Sequence, residues 1–500
     1  MLNVFSNAVK PKLILRLAII ASMTGGCMLS ACTLGPNYVK PEVQAPAAFK
    51  EQQGWKLAAP QDTLPKGKWW ELFGDKELNA LVAQVEVSNL NIKAVEAQFS
   101  QARALSQQAR ADYYPTVTGG LSFSRNKPAS NNTNATNYDP AINSTYRVNA
   151  DASWEPDIWG RVKRSVEAGD ASLQASAADI QAAKLSAQAE LAKNYFMLRI
   201  ADARKQLFDD TVAAYQKSLK LTQNQYAVGV VARADVVAAE TQLKSAKAQA
   251  VDVGVQRAQM EHAIAVLLGK APADFSISAT TTAIVTMPPA IPLGIPSELL
   301  ERRPDIAAAE RRAASANAKI GVAEAAYYPA LTLSGTLGFQ SRSFSQWLDY
   351  PSRFWTLGST LAQTLFDGGL RKAQTAQAVA VYDETATNYR LAVLTAFQEV
   401  EDNLAALRIL DEEAQLQADA VKSARESAQI ATNQYKAGIV TYINVINAEA
   451  IALNNERTAL NVQSSQLSAA VLLIKALGGG WDNAALNQSQ NVNAIKPVIK

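Results

Sequence analysis

The chain has 500 residues, 48% of them hydrophobic, enough to bury a large core, and 48 Lys and Arg against 45 Asp and Glu leave a formal charge of only +3. That balance predicts no nucleic-acid partner and no acidic substrate. Two cysteines and one histidine are too few to build a zinc site, and no cofactor is expected.

In chain order, Lys10 and Lys12 precede the apolar run Leu13 to Met23, interrupted by Arg16, and small residues follow. This is the pattern of a secretory signal and is too short to span a bilayer, so residues 1–31 read as a signal peptide. It closes on Leu29-Ser30-Ala31-Cys32, which resembles a bacterial lipobox; a plain signal ending in small residues is the alternative. On the lipobox reading Cys32 becomes the first mature residue and is acylated. Cys27 lies inside the signal, so the mature chain keeps one thiol and no internal disulfide. At roughly 0.8 kcal/mol per buried CH₂, several acyl chains hold a protein on a membrane, and no uncharged apolar run of 18 residues follows Cys32. In bacterial lipoproteins Asp after the cysteine tends to mean retention at the inner membrane. Thr33 stands here, so the resemblance points to the outer membrane.

After a segment covering residues 32–77, a helix from about Leu78 to Asp112 leads into alternating sequence. Val117, Gly119, Leu121 and Phe123 interleave with Thr and Ser, and Tyr146, Val148, Ala150, Ala152 and Trp154 interleave with Arg147, Asn149, Asp151, Ser153 and Glu155. These are two strands with one apolar and one polar face, a hairpin over residues 116–155 around a polar loop, Arg125 to Ser144. Sequon matches in that loop (Asn131-Asn132-Thr133, and Asn143-Ser144-Thr145 at its end) are discounted as chance. From Arg161 to about Tyr226 there is no proline and one glycine, predicting a helix of about 100 Å. Val166, Leu173, Ile180 and Ala187 recur at sevens along it. A turn at residues 226–235 and a returning helix, about Ala232 to Leu268, complete a first unit, residues 78–269.

Residues 270–302 are a Pro- and Thr-rich connector, and residues 303–478 repeat the pattern. A helix from Asp305 to Ala326 leads to strands over 330–366, with Leu331, Leu333, Leu337 and Phe339, then Trp355, Leu357, Leu361 and Leu365, on the apolar face. A second long helix runs from Leu370 to Tyr435, a turn occupies 435–444, and Tyr442 to Leu477 return. The tail, residues 479–500, reads as loosely ordered. The repetition is literal in places: Asn224-Gln225-Tyr226-Ala227-Val228-Gly229-Val230-Val231 recurs as Asn433-Gln434-Tyr435-Lys436-Ala437-Gly438-Ile439-Val440, an offset of about 209 residues. Val393, Phe397, Val400, Leu404 and Leu407, continued through Ala424 to Tyr435, have coiled-coil spacing.

Each strand has the 10 to 12 residues a tilted membrane strand needs, and a half-buried soluble sheet would alternate in the same way. Four strands are too few to close a sheet, and Arg147, Asp151 and Glu155 suit a wet lumen better than a core. His262 is a lone helical histidine, and no catalytic triad, phosphate loop or dinucleotide fingerprint accompanies it, so no enzyme is expected.

Several further segments carry a resemblance: Leu34-Gly35-Pro36-Asn37-Tyr38 to Pro41, Trp69-Trp70 with Phe73-Gly74-Asp75, Trp154 to Arg161, Phe366-Asp367-Gly368-Gly369, both Tyr-x-x-Gly turns and, most specific, Pro296-Ser297-Glu298-Leu299-Leu300-Glu301-Arg302-Arg303-Pro304-Asp305-Ile306. The chain resembles the outer-membrane factor family, TolC-like exit ducts of tripartite efflux systems, in its lipoprotein branch. The resemblance implies a mixed α and β membrane protein. A homotrimer would share a twelve-stranded transmembrane β-barrel, four strands per protomer, continuous with a long periplasmic α-helical barrel. Residues 32–77 and 270–302 would lie in its periplasmic equatorial region. It implies a passive conduit for antimicrobials and other small molecules, served by a periplasmic adaptor protein and an inner-membrane RND-type transporter. Val228, Gly229, Val230, Ala437, Gly438 and Ile439 would be adaptor-contact tips. The pore constriction would fall at Ile443 and Asn447, with Asp235 after the first turn. Asn447 departs from the carboxylate that the family often carries there, which puts an acidic ring in doubt. A component of type I protein secretion and a structural lipoprotein spanning the envelope are the alternatives.

Overall fold

In the computed structural model the described residues are 33–51, 68–127, 141–280, 289, 291, 296 and 299–481. Cys32, the signal, most of the first hairpin's loop, part of the connector and all but the start of the tail lie outside them. The chain forms two compact units, one of Met1–Lys40, Gln101–Leu173 and Glu310–Thr387, the other of Pro41–Ser100, Gln174–Ala309 and Asn388–Lys500.

The helices are α1 (Lys76–Ser88), α2 (Leu90–Ala111), α3 (Arg161–Ala227), α4 (Arg233–Leu267), α5 (Pro304–Ala325), α6 (Leu370–Lys436) and α7 (Tyr442–Ala476), beside short turns such as Trp69–Phe73. The two long helices have 67 residues each, and the two returning helices 35 each. Equal lengths follow from the sequence, because neither long run contains a proline to stop it. The single helix expected from Leu78 to Asp112 is instead two. Asn89, buried at their junction, accepts from the backbone N–H of Asn91 (2.9 Å) and Ile92 (3.1 Å) and donates to the Leu267 carbonyl at 2.8 Å. An asparagine that caps a new helix ends the previous one.

The first unit contains one antiparallel sheet, β1 (Thr116–Asn126), β2 (Asn143–Trp154), β3 (Ala330–Ser341) and β4 (Arg353–Ala362), in chain order across the sheet. The register aligns Leu121 with Val148 and Val148 with Phe339, and Gly119 with Ala150 and Ala150 with Leu337, so the alternating apolar residues share a face, with Phe354 on the other. On β4 that face holds Trp355, Leu357 and Leu361; the strand ends at Ala362, and Leu365 lies beyond it. Glu155 also lies past its strand, in an ion pair with Arg161 at 3.0 Å. Beside the sheet, Arg164 grips the first described residues: it donates to the carbonyls of Leu34 (2.9 Å) and Gly35 (3.0 Å) and to Asn37 Oδ1 (3.0 Å). Asn317 donates to the Pro36 carbonyl and the Tyr38 hydroxyl to Glu310 Oε1.

Both long helices start on an aspartate that accepts their free N–H groups: Asp157 from Val162 and Lys163, Asp367 from Gly369 and Arg371. Along α3, Val166, Leu173 and Ile180 are only half-buried, while Ala168, Ala171, Ala175 and Ala178 are buried. The close-packed stripe is alanine, and the larger residues stand at its margin.

The core of the second unit gathers Trp69, Trp70, Phe73, Leu78, Tyr195, Phe196, Val393, Val400, Leu404 and Leu473. The expected α6 seam is real: Val393, Phe397, Val400, Leu404 and Leu407 are buried, and Ala414, Gln417, Val421, Ala428 and Ala431 are half-buried. Arg303, from the most specific motif, is buried and forks onto Asp305 at 3.0 and 2.6 Å while reaching Glu399 at 2.6 Å and the Ala476 carbonyl at 3.2 Å. Burial pushes Asp305 up, and the Arg303 guanidinium more than offsets it, holding the carboxyl below its ordinary range. One motif thereby fastens the start of α5 to α6 and the end of α7.

Candidate functional site

The duplicated turns join α3 to α4 and α6 to α7, both in the second unit. Their backbones match bond for bond. Gly229 N–H donates to the Tyr226 carbonyl at 3.0 Å and Val230 N–H to that of Gln225 at 2.9 Å; Gly438 to Tyr435 and Ile439 to Gln434 repeat both distances. The glycines stand at φ 78° and 73°, the left-handed conformation that closes a helix C-terminus and that a side chain resists. The residues before the returning helices, Ala232 and Thr441, are both extended, and neither makes a side-chain cap.

The expected tip residues lie at the surface of the chain. Val228 is 75% exposed, Val230 66% and Ile439 71%, and Ala437 is exposed as well. Of the expected constriction residues, Ile443 is 53% exposed and Asn447 is exposed one turn further along α7, while Asp235 is half-buried in the first turn of α4. Exposed valine and isoleucine at a helical tip are unpartnered apolar area within one chain.

What binds the two hairpins together is a cluster that the sequence reading missed. Ala239 of α4, Tyr435 of α6 and Tyr442 and Val445 of α7 are buried together, with Leu219 and Leu221 of α3 packed against them. The rings of Tyr435 and Tyr442 sit 5.2 Å apart. Tyr435 donates to Thr222 Oγ1 at 3.3 Å and Tyr442 Oη accepts from Ser218 Oγ at 3.1 Å, both partners on α3. Burial pushes the Tyr442 phenol up to about 12, so it stays neutral. Repetition within the sequence pointed to the turn; no pattern showed that both tyrosines of one copy would face the other.

Deeper along α7 lies Glu449. Its Oε2 is fully buried and has no hydrogen-bond partner, and burial alone pushes the carboxyl up to about 7. It acts across the helices on Tyr215 of α3, which burial raises first and this carboxylate raises further. Among the described residues there is no group of ligands suited to a metal ion, and no helix is long and apolar enough to cross a membrane.

The sequence profile of the outer membrane efflux protein family matches residues 81–270 and 295–479, more than half of the chain and in two parts that correspond to the two copies. The outer membrane protein OprJ of Pseudomonas aeruginosa is 30% identical over 455 residues, 91% of this chain and 94% of its own. The pyoverdine export outer membrane protein OpmQ of Pseudomonas putida is 33% identical over 443 residues, covering 86% and 92%. The solved structure of the outer-membrane channel OprN superposes with a TM-score of 0.85 at 30% identity, over 90% of this chain and all of that one. The chain therefore belongs to the outer membrane efflux protein family and is an outer-membrane efflux channel.

Proposed function

We propose that this chain is the passive exit duct of a tripartite efflux pump, assembled as a homotrimer. The observation that carries this reading is the sheet. It has four strands, two unpaired edges (β1 and β4), and an apolar face whose Val117, Leu121, Trp355, Leu357 and Leu361 all stand exposed in the single chain. In hydrocarbon an open edge leaves backbone groups without partners at several kcal/mol each. Pairing β1 of one copy with β4 of the next removes both edges, and three copies give twelve strands, apolar outside and polar inside. The strands of 10 to 12 residues suit the thickness of a bilayer.

In this reading the 67-residue helices and their return partners form the periplasmic tunnel. Val228, Gly229 and Val230, with Ala437, Gly438 and Ile439, meet the adaptor protein, and an inner-membrane RND-type transporter drives the cargo. Ile443 and Asn447 narrow the pore, with Asp235 beside them. The chain performs no catalytic step, and an acylated Cys32 anchors it to the outer membrane. The antibiotics, toluene and pyoverdine named for its relatives mark the breadth of cargo such a duct accepts.

Purified protein reconstituted in planar bilayers should run as a trimer and conduct ions; a monomeric, membrane-free and silent chain overturns the reading. Cys32→Ala should abolish incorporation of labelled palmitate, and a persistent label removes the anchor.

A further inference from the structure

The polar face of the sheet is almost uncharged. By the strand register it carries Thr116, Thr118, Ser122 and Ser124 on β1, Ser334, Thr336 and Gln340 on β3, and Thr356 and Thr360 on β4. The two charges on that face are both on β2: Arg147 and Asp151. Four residues apart in a strand, they share the face at a separation of about 13 Å. Among the described residues neither has an oppositely charged partner in reach.

Both are held in place. Asp151 accepts from Thr336 Oγ1 at 2.6 Å through one oxygen and from the Asn149 amide through the other. Asn149 can lie across its neighbouring strands because the register sets glycine on either side, Gly120 and Gly338. A Cβ on Gly338 would fall 2.2 Å from the Val148 carbonyl oxygen and 2.8 Å from Asn149 Cα, and one on Gly120 would fall 3.1 Å from Asn149 Oδ1. The Arg147 guanidinium lies over the Phe354 ring at 4.8 Å, and its buried Nε has no acceptor. The carboxylate is held by two neutral donors and the guanidinium by a ring, with no opposite charge beside either among the described residues.

We propose that Arg147 and Asp151 set the charge selectivity of the duct, as a balanced pair of wall charges that admits cations, anions and zwitterions with little preference. The proposal rests on the exit-duct reading, in which this face lines the lumen. Threefold repetition turns each residue into a ring. At physiological ionic strength the Debye length is about 8 Å, shorter than the distance between the two levels, so each ring acts on solutes passing its own height. The net wall charge is nevertheless zero, and removing either ring leaves the other uncompensated.

The test is the reversal potential of reconstituted protein in planar bilayers under a tenfold KCl gradient. Charges elsewhere in the tunnel give a constant offset, and the variants are read as shifts from the unsubstituted protein. Arg147→Gln should raise the cation-to-anion permeability ratio severalfold, Asp151→Asn should lower it severalfold, and Arg147→Lys should leave it unchanged. Conducting Arg147→Gln and Asp151→Asn channels with the unsubstituted reversal potential overturn the proposal, as do equal shifts for Arg147→Lys and Arg147→Gln, which would mean altered packing. A silent unsubstituted protein would instead defeat the exit-duct reading beneath it.

Discussion

The two hairpin tips share a backbone and differ in what they bury. Tyr226 of the first copy is 45% exposed, whereas its counterpart Tyr435 is 3% exposed; Arg233 is exposed, whereas Tyr442 at the same offset is 1% exposed. The second copy therefore supplies the aromatic residues that fasten α6 and α7 to α3 and α4, and the first copy supplies the surface they fasten to. Duplication preserved the turn, because the left-handed glycine and its two hydrogen bonds are a local requirement. The side chains were free to diverge, because only one of the two tips is needed as the anchor.

The strongest test of this contrast is a matched pair. Tyr435→Ala should cost about 3–5 kcal/mol, the usual loss for a buried aromatic residue, read as earlier thermal loss of helical signal and rapid proteolysis at the tips. Tyr226→Ala should cost less than about 1 kcal/mol. Equal losses would break the comparison.

Glu449 gives the next effect. Its carboxyl is raised from an ordinary value of 4.5 to about 7 by burial. Between those values the folded chain holds a proton that the unfolded chain has released, so stability falls as pH rises and the loss is complete above about 7. Glu449→Gln should remove that dependence and stabilise the hairpins at pH 8 by about 1–3 kcal/mol. A pH profile unchanged by Glu449→Gln would show that the carboxylate is hydrated.

Gly229→Ala and Gly438→Ala should match each other at about 1 kcal/mol, since nothing lies within 4 Å of the added methyl in either tip and only backbone strain is at stake. Different costs would show that the tips are not equivalent even in backbone. Smallest is Ser218→Ala, which removes the donor to Tyr442 and should cost about 0.5 kcal/mol, the low end for a hydrogen bond between neutral groups, with no loss expected at its exposed repeat-equivalent Ser427.

The ends of the long helices and the faces of the strands were legible because they depend on short-range rules. Absence of proline set the 67-residue helices to within one residue, and period-two alternation set the sheet faces. The break at Asn89 was readable as an asparagine cap but is hidden inside an otherwise helical pattern. Tyr442, Glu449 and the grip of Arg164 on Leu34 were not readable. Each depends on partners 130 or more residues away, or on burial that periodicity along one helix does not specify. The α3 series was legible only in part: of Val166, Leu173, Ile180 and Ala187 only Ala187 is buried, and the tight contact beside them is made by further alanines.

The equal lengths of the paired helices, 67 with 67 and 35 with 35, bear on how such a gene can change. Deleting one residue from α6 alone would shift everything beyond it by about 1.5 Å and rotate it by about 100°, carrying Tyr435 off Thr222 and turning the tip away from its partner. A tolerated deletion needs a matching one in α3. Length in this molecule is therefore inherited as a pair, and insertions or deletions in natural variants should occur in both long helices or in neither.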